Sequence, residues 1–220
     1  MRLALFDLDH TLLPYDSGLA WLRFLAARGG VAADFPERYL ACCWRYVAGG
    51  LDQAALQRVA MAPLARHRLS RLNAWRREFA AGLAIPPAAV ALVARHRGDG
   101  ATCCLVTATN DFIAAPIARR LGVNHLIASA AGRRRRRFTG RLAGEPCHGA
   151  AKVARVEAWL AGRGLAWEGL ADTVFYSDSA SDLPLLARVA RPVAVRPDSR
   201  LLAEAAARGW AIVEDLADAP

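Results

Sequence analysis

Two aspartates, Asp7 and Asp9, stand one residue apart in FDLDHT, inside a run that otherwise reads as a buried strand. Strand periodicity puts both on one side and Leu8 on the other, so a strand ending near Asp9 would present both carboxylates at its C-terminal edge. Like charges that close raise each other's pKa unless a cation or a proton intervenes. A second acidic pair, Asp178 and Asp182 in DSASD, follows another apolar run, and Pro184 fits the first turn of a helix capped by Ser181 or Asp182. Oxygen-only clusters of this kind suit Mg2+, which takes one or two carboxylates and keeps places for waters and a substrate phosphate. Thr107, ending a third apolar run before a helix, offers a hydroxyl and nearby backbone N–H groups to an anion. Lys152 offers a compact cation suited to a phosphate oxygen. It is the only lysine in a chain that otherwise uses arginine. A carboxylate nucleophile, a metal, a hydroxyl and an ammonium are the parts that phosphoryl transfer needs.

These side chains need elements to carry them. Leu3 to Leu8, ATCCLVTATN (101–110) and DTVFYSDSASD (172–182) each pass from buried-type residues into polar ones and then into a helical pattern, and shorter apolar runs follow in HLIASA, PVAV and WAIV. Strands alternating with helices predict an α/β fold with a doubly wound parallel sheet, whose sites lie at the C-terminal ends of the strands. Between Pro14 and about Gly100 the apolar period becomes helical, and PPAAVALVARHRG is the last helix before strands resume. The expected organisation is a core of residues 1–14 and 98–220 with a helical cap, residues 15–97, inserted after the first strand. AGRRRRRFTGRLAG predicts a small β-hairpin flap, and HGAAKVARVEAWLAGRG predicts an amphipathic helix with Lys152 in its first turn.

Composition excludes other classes. With 220 residues, 55% of them hydrophobic and 22% charged, the chain can bury a sizeable core and is not disordered as a whole. No apolar run reaches the roughly 18–20 residues of a membrane span. Asp7 and Asp9 interrupt the N-terminal run before a signal-type segment of about 7 residues is complete, so the expected location is cytoplasmic. Of five cysteines, Cys42–Cys43 and Cys103–Cys104 are adjacent pairs, poor for disulfides and without metal-site spacing, which predicts small buried thiols. A net charge of +9 favours anionic partners.

DLDHT, Thr107, Lys152 and DSASD occur in the order and spacing of the four motifs of the haloacid dehalogenase superfamily, and the match runs from end to end. The inserted helices resemble the C1 cap of the subfamily that contains phosphoserine phosphatase. That resemblance implies a Mg2+-dependent phosphatase acting on a small phosphomonoester. Asp7 would be the nucleophile that becomes an aspartyl-phosphate, and Asp9 the general acid and then base. Mg2+ would lie between Asp7, the backbone carbonyl of Asp9 and Asp178, with Asp182 in support. Thr107, Ala108 and Lys152 would hold the phosphoryl oxygens. For the leaving group, Asp16 stands where the resembling enzyme has a glutamate for the substrate amine, and Arg58 falls near its carboxylate-binding arginine. Ala108, Thr109 and Asn110 follow Thr107 where a glycine pair is typical, so Asn110 is a further candidate for specificity.

Phosphotransfer to a second substrate needs the same residues and stays open beside hydrolysis. Arg133 to Arg137 raises a different class, a basic nucleic-acid-binding protein, but no aromatic ladder accompanies the run beyond Phe138. The expected partner is a small phosphorylated metabolite, not nucleic acid or membrane, with the chain a monomer or homodimer. His10 should alternate away from the two aspartates, His148 has no partner ligand for a metal, and the tryptophans are read as core anchors.

Overall fold

The computed structural model describes residues 1–220. Its centre is a six-stranded, wholly parallel sheet in the order β3-β2-β1-β6-β7-β8. The strands are β1 (Arg2–Phe6), β2 (Ala101–Asn110), β3 (His125–Ser129), β6 (Asp172–Ser177), β7 (Arg191–Val195) and β8 (Ala211–Val213). Parallel sheets are covered on both faces, so their strands read as near-continuous apolar runs. Here Ala4 and Phe6 of β1 enter one core, shared with Leu105 and Tyr176, while Leu3 and Leu5 enter a second, shared with Val106 and Phe175. Each large side chain so buried contributes roughly 1.5–3 kcal/mol. Helices α7 (Ala150–Ala161), α8 (Leu183–Leu186) and α9 (Ser199–Arg208) cover the second face, and α5 (Pro87–Gly98) and α6 (Asp111–Arg120) cover the first.

Four helices, α1 (Ser17–Ala27), α2 (Phe35–Val47), α3 (Gln53–Arg66) and α4 (Leu69–Gly82), form the insertion after β1. Trp21 of α1 packs edge-on against Phe79 of α4 and Phe112 of α6, so the insertion and the first face of the sheet share one apolar core. The two chain crossings are tied together where the Tyr15 hydroxyl donates to the carbonyl of Ala84 at 2.6 Å. α5, which falls within the expected cap of residues 15–97, packs on the sheet, with Leu92 and Val93 in the apolar core and His96 paired with the Tyr176 hydroxyl at 2.8 Å. Helical periodicity reports that a face is buried, not which body buries it.

The hairpin is present as β4 (Ala131–Arg134) and β5 (Arg137–Leu142). It leans on α3 at Gly140, whose φ of +74° favours glycine and where a Cβ would come within 3.1 Å of the Ala65 Cβ. All five cysteines are free thiols. Trp44 departs from the expected core role: it is 67% exposed, on the outer side of α2. No single helix is long and apolar enough to cross a membrane.

Candidate active site

Strand register assembles the site. Phe6 pairs with Leu105 on one side and Tyr176 on the other, so Asp7, Thr107 and Asp178 follow at the same end of three adjacent strands. β1 itself ends at Phe6, though the Asp7 N–H still donates to the Tyr176 carbonyl at 2.9 Å. Lys152, in the first turn of α7, reaches across and donates to Asp7 Oδ1 at 2.7 Å and to Asp182 Oδ2 at 2.6 Å. Lys152 is only 2% exposed. Burial works against its charge, but Asp182 and Asp7 outweigh burial and hold its pKa above the ordinary lysine value. Burial pushes Asp7 up to about 7 against the opposing field of Lys152.

Asp178 comes in from the other side of Asp7. The Thr11 hydroxyl donates to Asp178 Oδ1 at 2.9 Å and lies 3.5 Å from Asp7 Oδ2, so both carboxylates converge on one buried hydroxyl. Burial first, then the charge of Asp7, raises Asp178 to about 7. The Asp178 loop is pinned by Asp198, whose N–H donates to the Asp178 carbonyl at 2.8 Å and whose Oδ2 accepts from the Ala180 N–H at 2.7 Å. The loop before it is clamped by Arg196, which donates to the carbonyls of His10 and Thr11 at 3.0 and 2.7 Å. His10 has an exposed side chain and a φ of +61°.

The donor set suits a hard divalent cation. No three His, Cys, Asp or Glu side chains converge as a metal cluster. Two carboxylates repel each other across Thr11 instead, and beside them Asp182 Oδ1 is buried with no hydrogen-bond partner. A small set of oxygen donors, with one carboxylate oxygen unpartnered, matches the hard-oxygen chemistry that Mg2+ takes.

Asp9 stands apart from this cluster. Its Oδ1 accepts from the Ser17 N–H at 2.7 Å and its Oδ2 from the Thr109 hydroxyl at 2.5 Å. Burial, then the charge of Asp16, raises it to about 6, while Ser17 and Thr109 hold it back. Thr107 is 1% exposed; its Oγ1 accepts from the Thr109 N–H at 3.1 Å, and its own proton has no protein acceptor. Contrary to expectation, Thr107 does not end its strand: β2 runs on to Asn110.

Asn110 caps α6, its side-chain oxygen accepting from the Ile113 N–H at 3.2 Å, which leaves only its NH2 group for any other partner. Asp182 precedes α8 but makes no side-chain cap bond: Oδ2 accepts from Lys152 and from the Ser177 hydroxyl at 2.7 Å, and Oδ1 has no partner. Arg58 is exposed on α3, and its neighbour Gln57 turns inward to donate to the Ala108 carbonyl at 3.0 Å. Asp16 caps α1 with one oxygen, accepting from the Leu19 N–H at 2.7 Å. A Cβ on Gly18 would lie 3.1 Å from that oxygen and 3.5 Å from the Tyr39 hydroxyl, which sets Asp16 beside Tyr39. His148 pairs through Nε2 with the Tyr46 hydroxyl at 2.6 Å, a core-to-cap contact. The arginine run turns the hairpin, with Arg133 3.6 Å from Asp111. Thr11, Ser17, Gln57 and Thr109 were not singled out from sequence. Thr11 carried a signal as the last position of DLDHT, and Thr109 as part of the segment that stands where a glycine pair is typical.

Over residues 4–187 the sequence matches the haloacid dehalogenase-like hydrolases. This chain belongs to that family. A histidinol-phosphatase of Neisseria meningitidis serogroup C is 38% identical over 96% of this hydrolase and 98% of its own length. A Bordetella pertussis protein of unknown function is 45% identical and superimposes with a TM-score of 0.93, covering 98% of each chain. A substrate-bound phosphoserine phosphatase, 18% identical, shares the hydrolase's fold at a TM-score of 0.72 over 97% of this chain and 92% of its own.

Proposed function

We propose that this hydrolase is a Mg2+-dependent phosphatase that works through an aspartyl-phosphate on Asp7. The observation that carries the reading is the buried Lys152 ammonium between Asp7 and Asp182, with Asp178 meeting Asp7 at Thr11. Mg2+, held by Asp7, the Asp9 carbonyl and Asp178, would neutralise phosphoryl charge and orient the group for in-line attack. Lys152 fixes Asp7 Oδ1 and adds positive charge for the transferring oxygens. Thr107 has a hydroxyl proton free for a phosphoryl oxygen. As an Asp7 oxygen bonds to phosphorus, the ester P–O bond breaks and Asp9 gives its proton to the leaving alcohol. Water then attacks the aspartyl-phosphate, Asp9 takes the water's proton, and inorganic phosphate leaves as Asp7 is restored.

The cap favours a cationic leaving group without a carboxylate. Asp16 lies close enough to raise Asp9, while Arg58, the guanidinium expected for a substrate carboxylate, faces solvent. Phosphorylated amino alcohols fit that arrangement better than phosphoserine, whose carboxylate finds no partner in Arg58. The likeness to the Neisseria histidinol-phosphatase supports histidinol phosphate as the member of this class to test first.

Phosphate release with Mg2+ should be measured on histidinol phosphate, phosphoethanolamine, phosphoserine, a sugar phosphate and p-nitrophenyl phosphate, with the native enzyme and Asp7→Asn. The expected order places histidinol phosphate well above phosphoserine, with Asp7→Asn inactive throughout. Phosphoserine as the best substrate would refute the leaving-group reading, and full activity of Asp7→Asn would refute the mechanism.

A further inference from the structure

Asp9 is gripped from two bodies at once. Ser17 opens α1, the first helix of the cap, and Thr109 lies near the end of β2 in the core. The Ser17 N–H is among the first amides of α1, which have no partner within the helix, and it donates to Asp9 Oδ1 at 2.7 Å. Thr109 Oγ1 lies 2.5 Å from Asp9 Oδ2, and Ser17 Oγ is 3.4 Å from Thr109 Oγ1. Ser17 is fully buried and Thr109 is 8% exposed.

The two partners differ in kind. An amide N–H only donates, so Oδ1 is an acceptor whether Asp9 is protonated or not, and an acid proton belongs on Oδ2. A hydroxyl can donate or accept by rotating about its C–O bond. Thr109 can therefore donate to a lone pair of Oδ2 whether Asp9 is protonated or not, with Ser17 Oγ donating to Thr109 Oγ1 behind it, so the acid proton on Oδ2 is directed away from Thr109. A purely apolar side chain at 109 would leave Oδ2 free to swing and would strand a buried polar oxygen.

We propose that Thr109 is a positioning residue for proton transfer: its hydroxyl, backed by Ser17 Oγ, holds Asp9 Oδ2 aimed at the leaving oxygen and then at the attacking water. In the first half-reaction the Oδ2 proton passes to the leaving oxygen as the ester P–O bond breaks, and Thr109 keeps donating to the new carboxylate. In the second, a water proton passes to Oδ2 as the water oxygen bonds to phosphorus and the Asp7–phosphorus bond breaks, while Thr109 still donates to Oδ2. The proposal rests on Asp9 being the acid and base.

Leaving-group dependence tests it. An alkyl alcohol leaves poorly without a proton, whereas p-nitrophenolate needs none, and kcat/KM reads the steps up to formation of the phospho-enzyme. Thr109→Val keeps the shape and removes the hydroxyl. Its kcat/KM should fall about 100-fold for the best alkyl phosphate and less than about 3-fold for p-nitrophenyl phosphate, with Thr109→Ser restoring the alkyl rate to within about 3-fold. Thr109→Ala, with circular dichroism as the folding check, gives a second hydroxyl deletion should valine not fold. Equal losses on both substrates, or no loss on the alkyl ester, overturn the role of Thr109. Asp9→Asn is run beside them. If it discriminates between the two esters and the Thr109 variants do not, Thr109 alone is excluded. If it does not discriminate, the acid–base reading fails and the proposal falls with it.

Discussion

Replacing Lys152 by methionine keeps much of the side chain's length and removes its charge, which isolates what the ammonium does. The residue is 2% exposed and holds two carboxylates, Asp7 at 2.7 Å and Asp182 at 2.6 Å. Without it those carboxylates repel each other in a buried space, and removal of one partner from such a group costs about 3–5 kcal/mol. For a chain of this size each kcal/mol moves the melting temperature by about 2–4 °C, so the expected drop is about 6–20 °C. Neutralising one carboxylate as well should recover part of it: Lys152→Met/Asp182→Asn should melt above Lys152→Met, with a coupling of about 0.5–3 kcal/mol. Calorimetry on the native protein, both single variants and the double variant completes the cycle. Phosphatase activity of Lys152→Met should fall by at least about 100-fold, the scale of losing one charge-stabilising donor. A Lys152→Met protein that melts within about 2 °C of the parent, or a double variant carrying the full sum of the single losses, would refute the buried-triad account.

Thr11→Val removes the hydroxyl that orients Asp178 and faces Asp7. The Mg2+ concentration for half-maximal activity should rise about 10–100-fold, and calorimetric Mg2+ titration should show the same weakening. Gln57→Leu leaves the half-buried Ala108 carbonyl without its donor and should destabilise by about 0.5–1.5 kcal/mol, whereas Arg58→Ala should change neither stability nor kcat/KM by more than about 2-fold; denaturant titration and steady-state kinetics read both. His148 is held below the ordinary histidine pKa by burial and then by Lys152. The unfolded chain therefore takes the proton first, so the stability of the Tyr46–His148 contact is present above about pH 6.5 and is lost as pH falls. Between about pH 7.5 and about pH 5.5 the melting temperature of His148→Gln should drop less than that of the parent, and equal drops would exclude His148 as the cause.

Sheet strands and site motifs were legible because both are local. Parallel strands buried on two faces leave continuous apolar runs such as Leu3 to Leu8, and turns at their C-terminal ends leave the polar residues that follow. Lys152 stood out because no other lysine surrounds it. Cap contacts were less legible, because which face of a helix meets the core depends on how separate bodies dock. Arg58 and Gln57 are adjacent in sequence and point oppositely, one to solvent and one to the Ala108 carbonyl. Asn110 illustrates the same limit, since its place beside Thr107 could not say that its side chain caps α6.

By itself, then, the sequence determined the α/β core with its inserted helices and hairpin, and it marked Asp7, Asp9, Thr107, Lys152, Asp178 and Asp182 as one chemical set. Only the tertiary structure decided that α5 belongs to the sheet, that Lys152 bridges Asp7 and Asp182, and that Thr109 and Ser17 close on Asp9 from core and cap. Periodicity and motif spacing record which residues are buried or polar along one segment. The pairing of a hydroxyl at position 109 with a carboxylate at position 9 is set by strand register and by the docking of the cap, which no single segment encodes.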